Sequence, residues 1–338
     1  MDMTGDRTPR SESPLGLRTG ICELLGVDHP IGNAGMAGVA QPRLCAAVAE
    51  SGGIGTVAMA GASPETVASR VAAVRSVTER PFSANFISWV LGDDPSPVDA
   101  ALDAGASSIT LSFGDPAPFV DRVHAAGALL LCQVQTLGDA THAADVGVDV
   151  IIAQGNEAGG HTGIVPLLPL LPQVVDVAGT IPVLAAGGVG DGRGLAAVLT
   201  LGAQGALMGT RFIVADEAES DWPDLPDQVL AASADDSVWS RAFDIAQGGG
   251  RSHWPEGIGA RSIRTSWLER WADHEDDLAE RISEHPGSDH VEGNDPTPAY
   301  AGPVAGMASR REPAGQIIES VTTAAAAVLA TTQRWLAD

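Results

Sequence analysis

Short apolar segments recur through the first 214 residues at intervals of about 20–30 residues, the length of one strand–helix–strand unit. They are rich in Val, Ile, Leu and Ala and mostly unbroken by polar residues, which is typical of strands buried on both faces of a parallel sheet. Eight strands are predicted, at residues 31–34, 55–59, 82–87, 108–113, 129–134, 150–154, 182–186 and 206–209. Helical patterns lie between them, at 41–51, 64–77, 97–104, 116–126, 136–145 and 193–201.

This alternation predicts an α/β fold in which helices cover a parallel sheet. Eight strand–helix units are the number that closes a (β/α)8 TIM barrel, so we expect such a barrel over residues 20–214. A doubly wound open sheet is the alternative, but it would normally contain fewer strands.

The regions that flank the predicted barrel differ from it in composition. Residues 1–19 are polar and predict a disordered N-terminal tail rather than a signal peptide. Residues 215–301 break the regular pattern and predict an irregular or helical insertion after strand eight, either a lid or a small helical subdomain. Its tryptophans are most simply explained as anchors that pin irregular structure to the barrel. Residues 302–338 predict a C-terminal helix that packs on the barrel, because polar residues interrupt its apolar face.

The charged residues restrict the kinds of partner and chemistry. All 19 basic residues are arginines, and 43 acidic residues bring the net charge to −24. This acidity argues against nucleic acid or an anionic membrane as a partner. Without lysine the chain can form neither a lysine Schiff base nor a Walker-type phosphate site. Its 3 cysteines are far apart and predict neither a disulfide framework nor a metal site, so we expect a reducing, cytoplasmic environment.

A glycine-rich loop, residues 153–163, directly follows the sixth predicted strand. Glycine allows the backbone to approach a ligand closely because it has no Cβ atom. The loop also supplies an amide at Gln154, a carboxylate at Glu157 and an imidazole at His161. An imidazole is the group that ordinarily exchanges protons near neutral pH, so His161 is the candidate acid–base residue. A structural role is the competing explanation for a single histidine.

Other informative segments fall at the C-terminal ends of strands, where α/β barrels bind ligands. Residues 33–38 follow strand one, and Asn85 lies towards the end of strand three. Glycine turns follow strands seven and eight, and their amides can cradle a phosphate without a lysine. Asp191 is expected to cap the next helix. Arg211 either adds charge near the phosphate or forms a surface ion pair.

Together these segments resemble the nitronate monooxygenase family, also called the 2-nitropropane dioxygenase family. The matching segments are His29-Pro30-Ile31, the turn at 51–55, Arg80-Pro81-Phe82 with Asn85, the loop 153–161, the turns at 185–188 and 208–210, Trp254-Pro255 and Tyr300-Ala301-Gly302. One glycine pair is weak evidence, but this many matching segments, in order and at predicted strand ends, make a specific pattern.

The resemblance implies a TIM-barrel enzyme that binds FMN. We expect no metal site. It implies that Ala34, Gly35 and Met36 face the isoalloxazine ring, and that Asn85 and Gln154 bond to its polar edge. The implied phosphate cradle is Gly159, Gly187, Gly188, Gly209 and Thr210, and Leu207 and Met208 complete the cofactor-binding set. His161 would stand beside the substrate as a base or an electrostatic partner. The chain departs from the usual family pattern at Asn33 and Gly35, where Gln and Pro are commoner, so the substrate is the least determined feature.

The activity that the resemblance implies is oxidation of alkyl nitronates, with nitroalkanes as further candidates, by O2 to carbonyl compounds and nitrite. The alternative is an NAD(P)H-dependent flavin reductase of the same fold, acting on a quinone or an enoyl thioester. Enoyl reductases of this kind usually have Glu where this chain has Gln154. A non-catalytic flavin-binding barrel is a second alternative. The expected partners are a small-molecule substrate and O2, without nucleic acid or membrane; the oligomeric state stays open, with a homodimer as one expectation.

Overall fold

The structure is a computed structural model, and it describes residues 16–285 and 297–332. The strands of this part are β1 (Ile31–Asn33), β2 (Gly55–Ala58), β3 (Phe82–Ile87), β4 (Ser108–Ser112), β5 (Leu129–Val134), β6 (Val150–Gln154), β7 (Gly160–Thr162), β8 (Val183–Ala186), β9 (Gly205–Met208), β10 (Ser237–Ser240) and β11 (Gly259–Ile263). Its helices are α1 (Gly20–Leu25), α2 (Pro42–Glu50), α3 (Pro64–Arg75), α4 (Ser88–Leu91), α5 (Ser96–Asp103), α6 (Val120–Ala125), α7 (Leu137–Val146), α8 (Leu167–Ala178), α9 (Gly192–Thr200), α10 (Thr210–Ile213), α11 (Leu225–Ala231), α12 (Ala242–Gln247), α13 (Ser266–Trp271), α14 (Glu275–Glu284) and α15 (Ala314–Thr332).

Eight parallel strands form the predicted TIM barrel, in the order β1-β9-β8-β6-β5-β4-β3-β2. A parallel bridge between Gly32 and Ile54 joins the two ends of this order and closes the barrel. Gly32 permits the closure, because a Cβ atom there would lie 2.0 Å from the carbonyl oxygen of Ile54. The fold-class prediction is therefore confirmed, and the open sheet is excluded.

Alternate side chains of each strand belong to two different apolar regions, because successive side chains point to opposite faces of a sheet. Side chains such as Ile109 and Leu130 pack outwards against the helices. Others, including Ile152 and Leu184, point into the barrel and pack with Ile21 of α1. Helix α1 thus fills the N-terminal end of the barrel, which leaves the opposite end for a ligand.

The end of the predicted N-terminal tail contacts the barrel. Leu17 packs against the apolar core, and the Thr19 hydroxyl donates a hydrogen bond to the carbonyl oxygen of Gln204 over 2.5 Å. Residues 1–15 of that predicted tail lie outside the described residues.

The segment after β9 contains helices and also two strands that its sequence did not predict. Strands β10 and β11 pair antiparallel, and β11 pairs in turn with β7 of the glycine-rich loop. The strands are short and lack an alternating apolar pattern, so they carry little sequence signal. A small core around the stacked rings of Phe243 and Trp267 supports them. Residues 286–296 of the predicted insertion lie outside the described residues.

Helix α15 packs along α9 and α2, with Ile317, Ile318 and Val321 buried. It is long and apolar enough to cross a membrane by length and composition alone, but this apolar face belongs to the core of the barrel. The last six residues, 333–338, lie outside the described residues. The predicted helices do not include α8, whose sequence contains Pro169 and Pro172, residues that are unusual inside a helix.

Candidate active site

A cavity of about 620 Å³ lies at the C-terminal ends of the barrel strands. The predicted site residues that line it are Ala34, Gly35, Met36, Asn85, Gln154, Gly159, His161, Gly187, Gly188, Leu207, Gly209 and Thr210. Met208 is the exception. Its side chain points outwards into the core between sheet and helices, as strand alternation requires next to the inward Leu207. Only its carbonyl oxygen reaches the site, where it accepts a hydrogen bond from Ala34 N over 3.0 Å.

The loop after β1 is shaped by contact with Asn85. A Cβ atom on Gly35 would lie 2.3 Å from Asn85 Oδ1, so only glycine lets these two segments of the chain approach this closely. Asn85 Nδ2 donates to the carbonyl oxygen of Thr110 over 3.2 Å and to Ser112 Oγ over 3.0 Å. These bonds turn the Asn85 oxygen towards the loop and the cavity.

Asn33, which differs from the usual family residue, has a structural role. Its Nδ2 donates to the Thr56 carbonyl oxygen over 2.7 Å, and its Oδ1 accepts from Thr56 N over 3.0 Å. The side chain is fully buried. Asn33 therefore acts as a clamp between β1 and β2, where the barrel closes.

Two glutamines form a chain of hydrogen bonds that fixes the orientation of the Gln154 side chain in the cavity wall. Gln135 Nε2 donates to Gln154 Oε1 over 3.0 Å, and Gln154 Nε2 donates to the main-chain oxygen of His161 over 3.2 Å. Sequence reasoning missed Gln135, although its place directly after β5 is a strand-end position of the kind used for the other site residues.

Two buried polar atoms of cavity-lining residues have no hydrogen-bond partner among the described residues, Gln133 Nε2 and Thr56 Oγ1. Buried donors and acceptors are nearly always paired, so such atoms are expected to bond with a bound ligand. A planar heterocycle with several carbonyl and ring-nitrogen atoms suits this surface. The residues present therefore fit the polar edge of a flavin.

The turn after β8 has two consecutive glycines with positive φ, +93° at Gly187 and +70° at Gly188. A Cβ atom on Gly187 would lie 2.9 Å from Ala158 N, so this turn packs directly on the glycine-rich loop. The turn after β9 contributes Thr210, whose hydroxyl oxygen accepts a hydrogen bond from Gly302 N over 2.9 Å. Between them the turns form a backbone surface of the kind that binds phosphate.

The two charged residues next to these turns do not line the cavity. Asp191 Oδ1 accepts hydrogen bonds from Arg193 N and Gly194 N, so it caps α9 as predicted. Arg211 pairs with Glu312, and both side chains are largely buried, so its ion pair is internal rather than on the surface. Among the described residues that line the cavity there is no arginine, and backbone amides and hydroxyls are what can receive a phosphate there.

His161 is held in the cavity wall by two residues of the insertion. Its Nε2 lies 2.8 Å from Asp244 Oδ1, and the side chains are 14% and 2% exposed. The indole of Trp254 stacks on the imidazole, with ring centres 3.5 Å apart. Tyr300 lies on another side, at 5.5 Å. Burial, helped by the negative charge of Asp244, raises the pKa of Tyr300, so its phenol stays neutral.

Trp254 also joins the insertion to the barrel. Its ring contacts the edges of Trp89, after β3, and Phe113, after β4, with ring centres 5.3 and 5.1 Å apart. Phe113 has a φ of +60°, the one positive φ at a non-glycine residue in the described part of the chain. Such strained residues are concentrated at functional sites. Within residues 16–285 and 297–332 no group of His, Cys, Asp or Glu could hold a metal ion.

Comparison with known proteins agrees with this geometry. The family model described as nitronate monooxygenase matches residues 18–95 and 90–324. The chain belongs to the nitronate monooxygenase family. As a member of this family it is a flavin-dependent oxidoreductase.

Two curated relatives carry a different name. The chain is 38% identical over 263 residues, 75% of its length, to a Mycobacterium tuberculosis protein named (3aS,4S,5R,7aS)-5-hydroxy-7a-methyl-1-oxo-octahydro-1H-indene-4-carboxyl-CoA dehydrogenase. It is 38% identical over 68% of its length to the protein of that name from Rhodococcus jostii. The matched regions cover 68% and 64% of these two relatives, so the chain spans about two thirds of their length. A probable nitronate monooxygenase of Staphylococcus aureus is 28% identical over 76% of the chain and 81% of the relative.

Two solved structures are similar over nearly the whole chain. FabK from Thermotoga maritima has a TM-score of 0.82 and 28% identity, and the match covers 94% of this chain and 99% of FabK. A nitroalkane oxidase from Streptomyces ansochromogenes has a TM-score of 0.74 and 28% identity, with coverage of 93% and 100%.

Proposed function

We propose that this protein is an FMN-dependent nitronate monooxygenase, which oxidises alkyl nitronates with O2 to carbonyl compounds and nitrite. The observation that carries the proposal is the position of His161, whose imidazole stands in the wall of a cavity that also offers glycine turns, the unpaired amide donor of Gln133 and the unpaired hydroxyl of Thr56. The similarity to the nitroalkane oxidase supports the same substrate class.

We propose FMN rather than FAD as the cofactor, and two observations support this choice. The turns with Gly187, Gly188, Gly209 and Thr210 offer one place for a phosphate. The sequence has no Gly-x-Gly-x-x-Gly pattern after the first strand, which a dinucleotide would be expected to use. Asn85, Gln133 and Gln154 would contact the polar edge of the ring. When bound, the flavin supplies the redox chemistry, and the protein supplies orientation and electrostatics.

His161 would act on the substrate carbon that bears the nitro group. With a neutral nitroalkane it accepts the proton of that carbon, as a general base. With a preformed nitronate, a protonated ring instead stabilises the anion. The rings of Trp254, Phe113 and Tyr300 exclude water around it, which strengthens both interactions because the local dielectric constant is low.

Anaerobic mixing tests the proposal directly. Purified protein is mixed with an alkyl nitronate, or separately with NADH or NADPH, while flavin absorbance is followed. We expect the nitronate to bleach the flavin and the nicotinamides to leave it oxidised. Reduction by NADPH alone would contradict the proposal, as would release of FAD rather than FMN on heating.

A second candidate function has a specific observation in its favour, the 38% identity to two relatives named as CoA-thioester dehydrogenases. The carbon next to a thioester carbonyl is also a carbon acid, so His161 could exchange its proton. In the same anaerobic experiment a saturated acyl-CoA would then bleach the flavin while the nitronate would not. FabK-like reduction would need bleaching by NADH or NADPH followed by reoxidation with an enoyl thioester.

We further propose that the enzyme works in the cytoplasm on a small molecule and O2, without nucleic acid or membrane as a partner. Its net charge of −24 supports this, because both surfaces repel an acidic protein. We also propose that the described part of the insertion, residues 215–285 and 297–301, acts as a lid, since its Trp254 and Tyr300 line the cavity. Whether two copies form a homodimer is decided by sedimentation of the purified protein.

A further inference from the structure

Asp244 is a buried carboxylate with an unusual set of neighbours. It lies on α12, where Phe243 and Ile245 on either side of it belong to the apolar core of the insertion. Its side chain is 2% exposed, and Oδ1 is 2.8 Å from His161 Nε2. Its second oxygen, Oδ2, has no hydrogen-bond partner in the described part of the chain. A buried charge is costly unless it is paired, so this residue is not explained by stability alone.

Two ordinary structural roles of such a carboxylate, capping the helix and pairing with an arginine, are filled by other residues. Ser240 Oγ accepts the hydrogen bond from Ala242 N at the start of α12. Glu275 accepts from Arg241 N and pairs with the Arg241 side chain. Asp244 therefore neither caps its helix nor pairs with an arginine in the described structure, and its ion-pair partner there is His161.

We propose that Asp244 is the positioning residue of His161, an inference that rests on the proposed function. Its carboxylate accepts the hydrogen of Nε2 and so places the lone pair of the ring on Nδ1. In the reaction the substrate C–H bond breaks and an N–H bond forms at Nδ1. The electron pair stays with the substrate and spreads over its nitro group, giving the nitronate. The carboxylate stabilises the positive ring so formed, as the aspartate of a catalytic triad does.

Other contacts in the site restrict movements of His161 that its bond to the Asp244 carboxylate does not restrict. Trp254 covers one face of the imidazole. The main chain of His161 is held by the pairing of β7 with β11, where it lies opposite Ala260, and by the hydrogen bond from Gln154 Nε2. With the main chain and the ring plane fixed in these ways, the remaining freedom is a 180° flip of the ring about its Cβ–Cγ bond, which exchanges nitrogen and carbon positions. The Nε2–Asp244 bond removes that freedom and gives the ring one productive orientation.

Asp244→Asn tests the role, because Asn has the same shape without the charge. For a neutral nitroalkane we expect kcat to fall by roughly 10²–10⁴-fold, the usual loss with a general base, and KM to change little. For the preformed nitronate, which needs no proton abstraction, we expect a loss of less than about 10-fold. The matched control is Glu275→Gln, which removes the charge that pairs with Arg241 at the start of α12 without touching His161. It should leave both rates within about 2-fold of the wild type.

A second readout does not depend on turnover. In ¹⁵N NMR spectra of the purified protein, the signal of His161 is assigned by its loss in His161→Asn. We expect this ring to carry its hydrogen on Nε2 in the wild type and to lose that preference in Asp244→Asn, with flavin content unchanged. Equal losses on both substrates, or an unchanged tautomer in Asp244→Asn, would overturn the inference. If the wild type turns over neither substrate, the proposed function fails, and the NMR measurement still decides the role of Asp244.

Discussion

The indole of Trp254 lies nearly parallel to the imidazole of His161, with ring centres 3.5 Å apart and planes inclined by 14°. One residue thus comes from the glycine-rich loop after β6 and the other from the connection between β10 and β11. The contact buries one face of the imidazole and leaves its edge as the reactive part. The indole therefore acts as a wall that holds the candidate base in place.

Replacing Trp254 by Ala should lower kcat by about 2- to 10-fold, since stacked aromatic pairs contribute roughly 0.5–1.5 kcal/mol. Trp254→Phe keeps a stacking ring and should recover most of the rate. Flavin content should equal that of the wild type in both variants, as measured by absorbance. Equal rates for Ala and Trp at this position would show that the wall has no part in catalysis.

Replacing His161 by Asn should preserve flavin binding and cut turnover by roughly 10²–10⁴-fold, more for neutral nitroalkanes than for nitronates. The control is His142→Asn, which removes an exposed histidine paired with Asp115 on the outer surface. Steady-state assays on both substrate forms make the comparison. Near wild-type rates in His161→Asn on both forms would mean that this histidine is structural.

Gly188→Asp should abolish flavin retention, because it places a carboxylate beside the proposed phosphate site. The residue has a φ of +70°, so a side chain there is also strained. Gly179→Asp is a matched control, with a φ of +60° and open space around its Cβ position. The measurement is the flavin-to-protein absorbance ratio after gel filtration. Equal ratios in the two variants would remove Gly188 from the cofactor site.

Glu312→Gln should lower the free energy of unfolding by about 3 kcal/mol, since it leaves the largely buried Arg211 without its partner. Flavin content of the folded variant should stay at the wild-type level, because Arg211 does not line the cavity. Glu319→Gln, on the exposed side of α15, is the control. Denaturant titrations give the stabilities. A loss of flavin without a loss of stability would return Arg211 to the phosphate site.

The cysteines of the folded protein should be inert to thiol reagents at pH 8. All of Cys22, Cys45 and Cys132 are buried. Burial, with help from the charges of Asp139 and Asp115, raises the pKa of Cys132 to about 12. Burial also raises the pKa of Cys45. Only the thiolate reacts, so labelling should begin with unfolding and then reach 3 thiols per chain. Rapid labelling of the native protein would contradict this description of the core.

The barrel could be predicted from the sequence because its strands are continuous apolar runs with turns between them. The position of the cavity-lining residues at the ends of barrel strands could be predicted for a related reason, since a strand end fixes where the next residues lie in a barrel. Gly187 directly follows β8, and His161 lies in the loop that begins where β6 ends, so their positions in the chain determine their positions in the fold. The side chain of Met208 shows what such reasoning does not determine. Whether a strand residue faces into the barrel or towards the helices depends on the exact register of its strand.

The surroundings of His161 could not be predicted in the same way. Asp244 is 83 positions from His161 in the chain. It is one of 43 acidic residues, within a segment that has no regular period. Strands β10 and β11, which bring it into place, are held by pairing with each other and, through β11, with β7, rather than by a pattern in their own sequence. Such contacts are set by tertiary structure and leave no local pattern.

The pairing of β11 with β7 joins two parts of the chain that supply different contacts of the candidate site. Residues 237–263, from β10 to β11, contain both Asp244 and Trp254, while the glycine turns belong to the barrel. A chimera that takes these 27 residues from a relative would keep its hold on the cofactor and give the imidazole a new ring partner and a new charge partner. We therefore expect substrate range to diverge within this fold by changes in one continuous stretch of gene, apart from the turns proposed to hold the flavin.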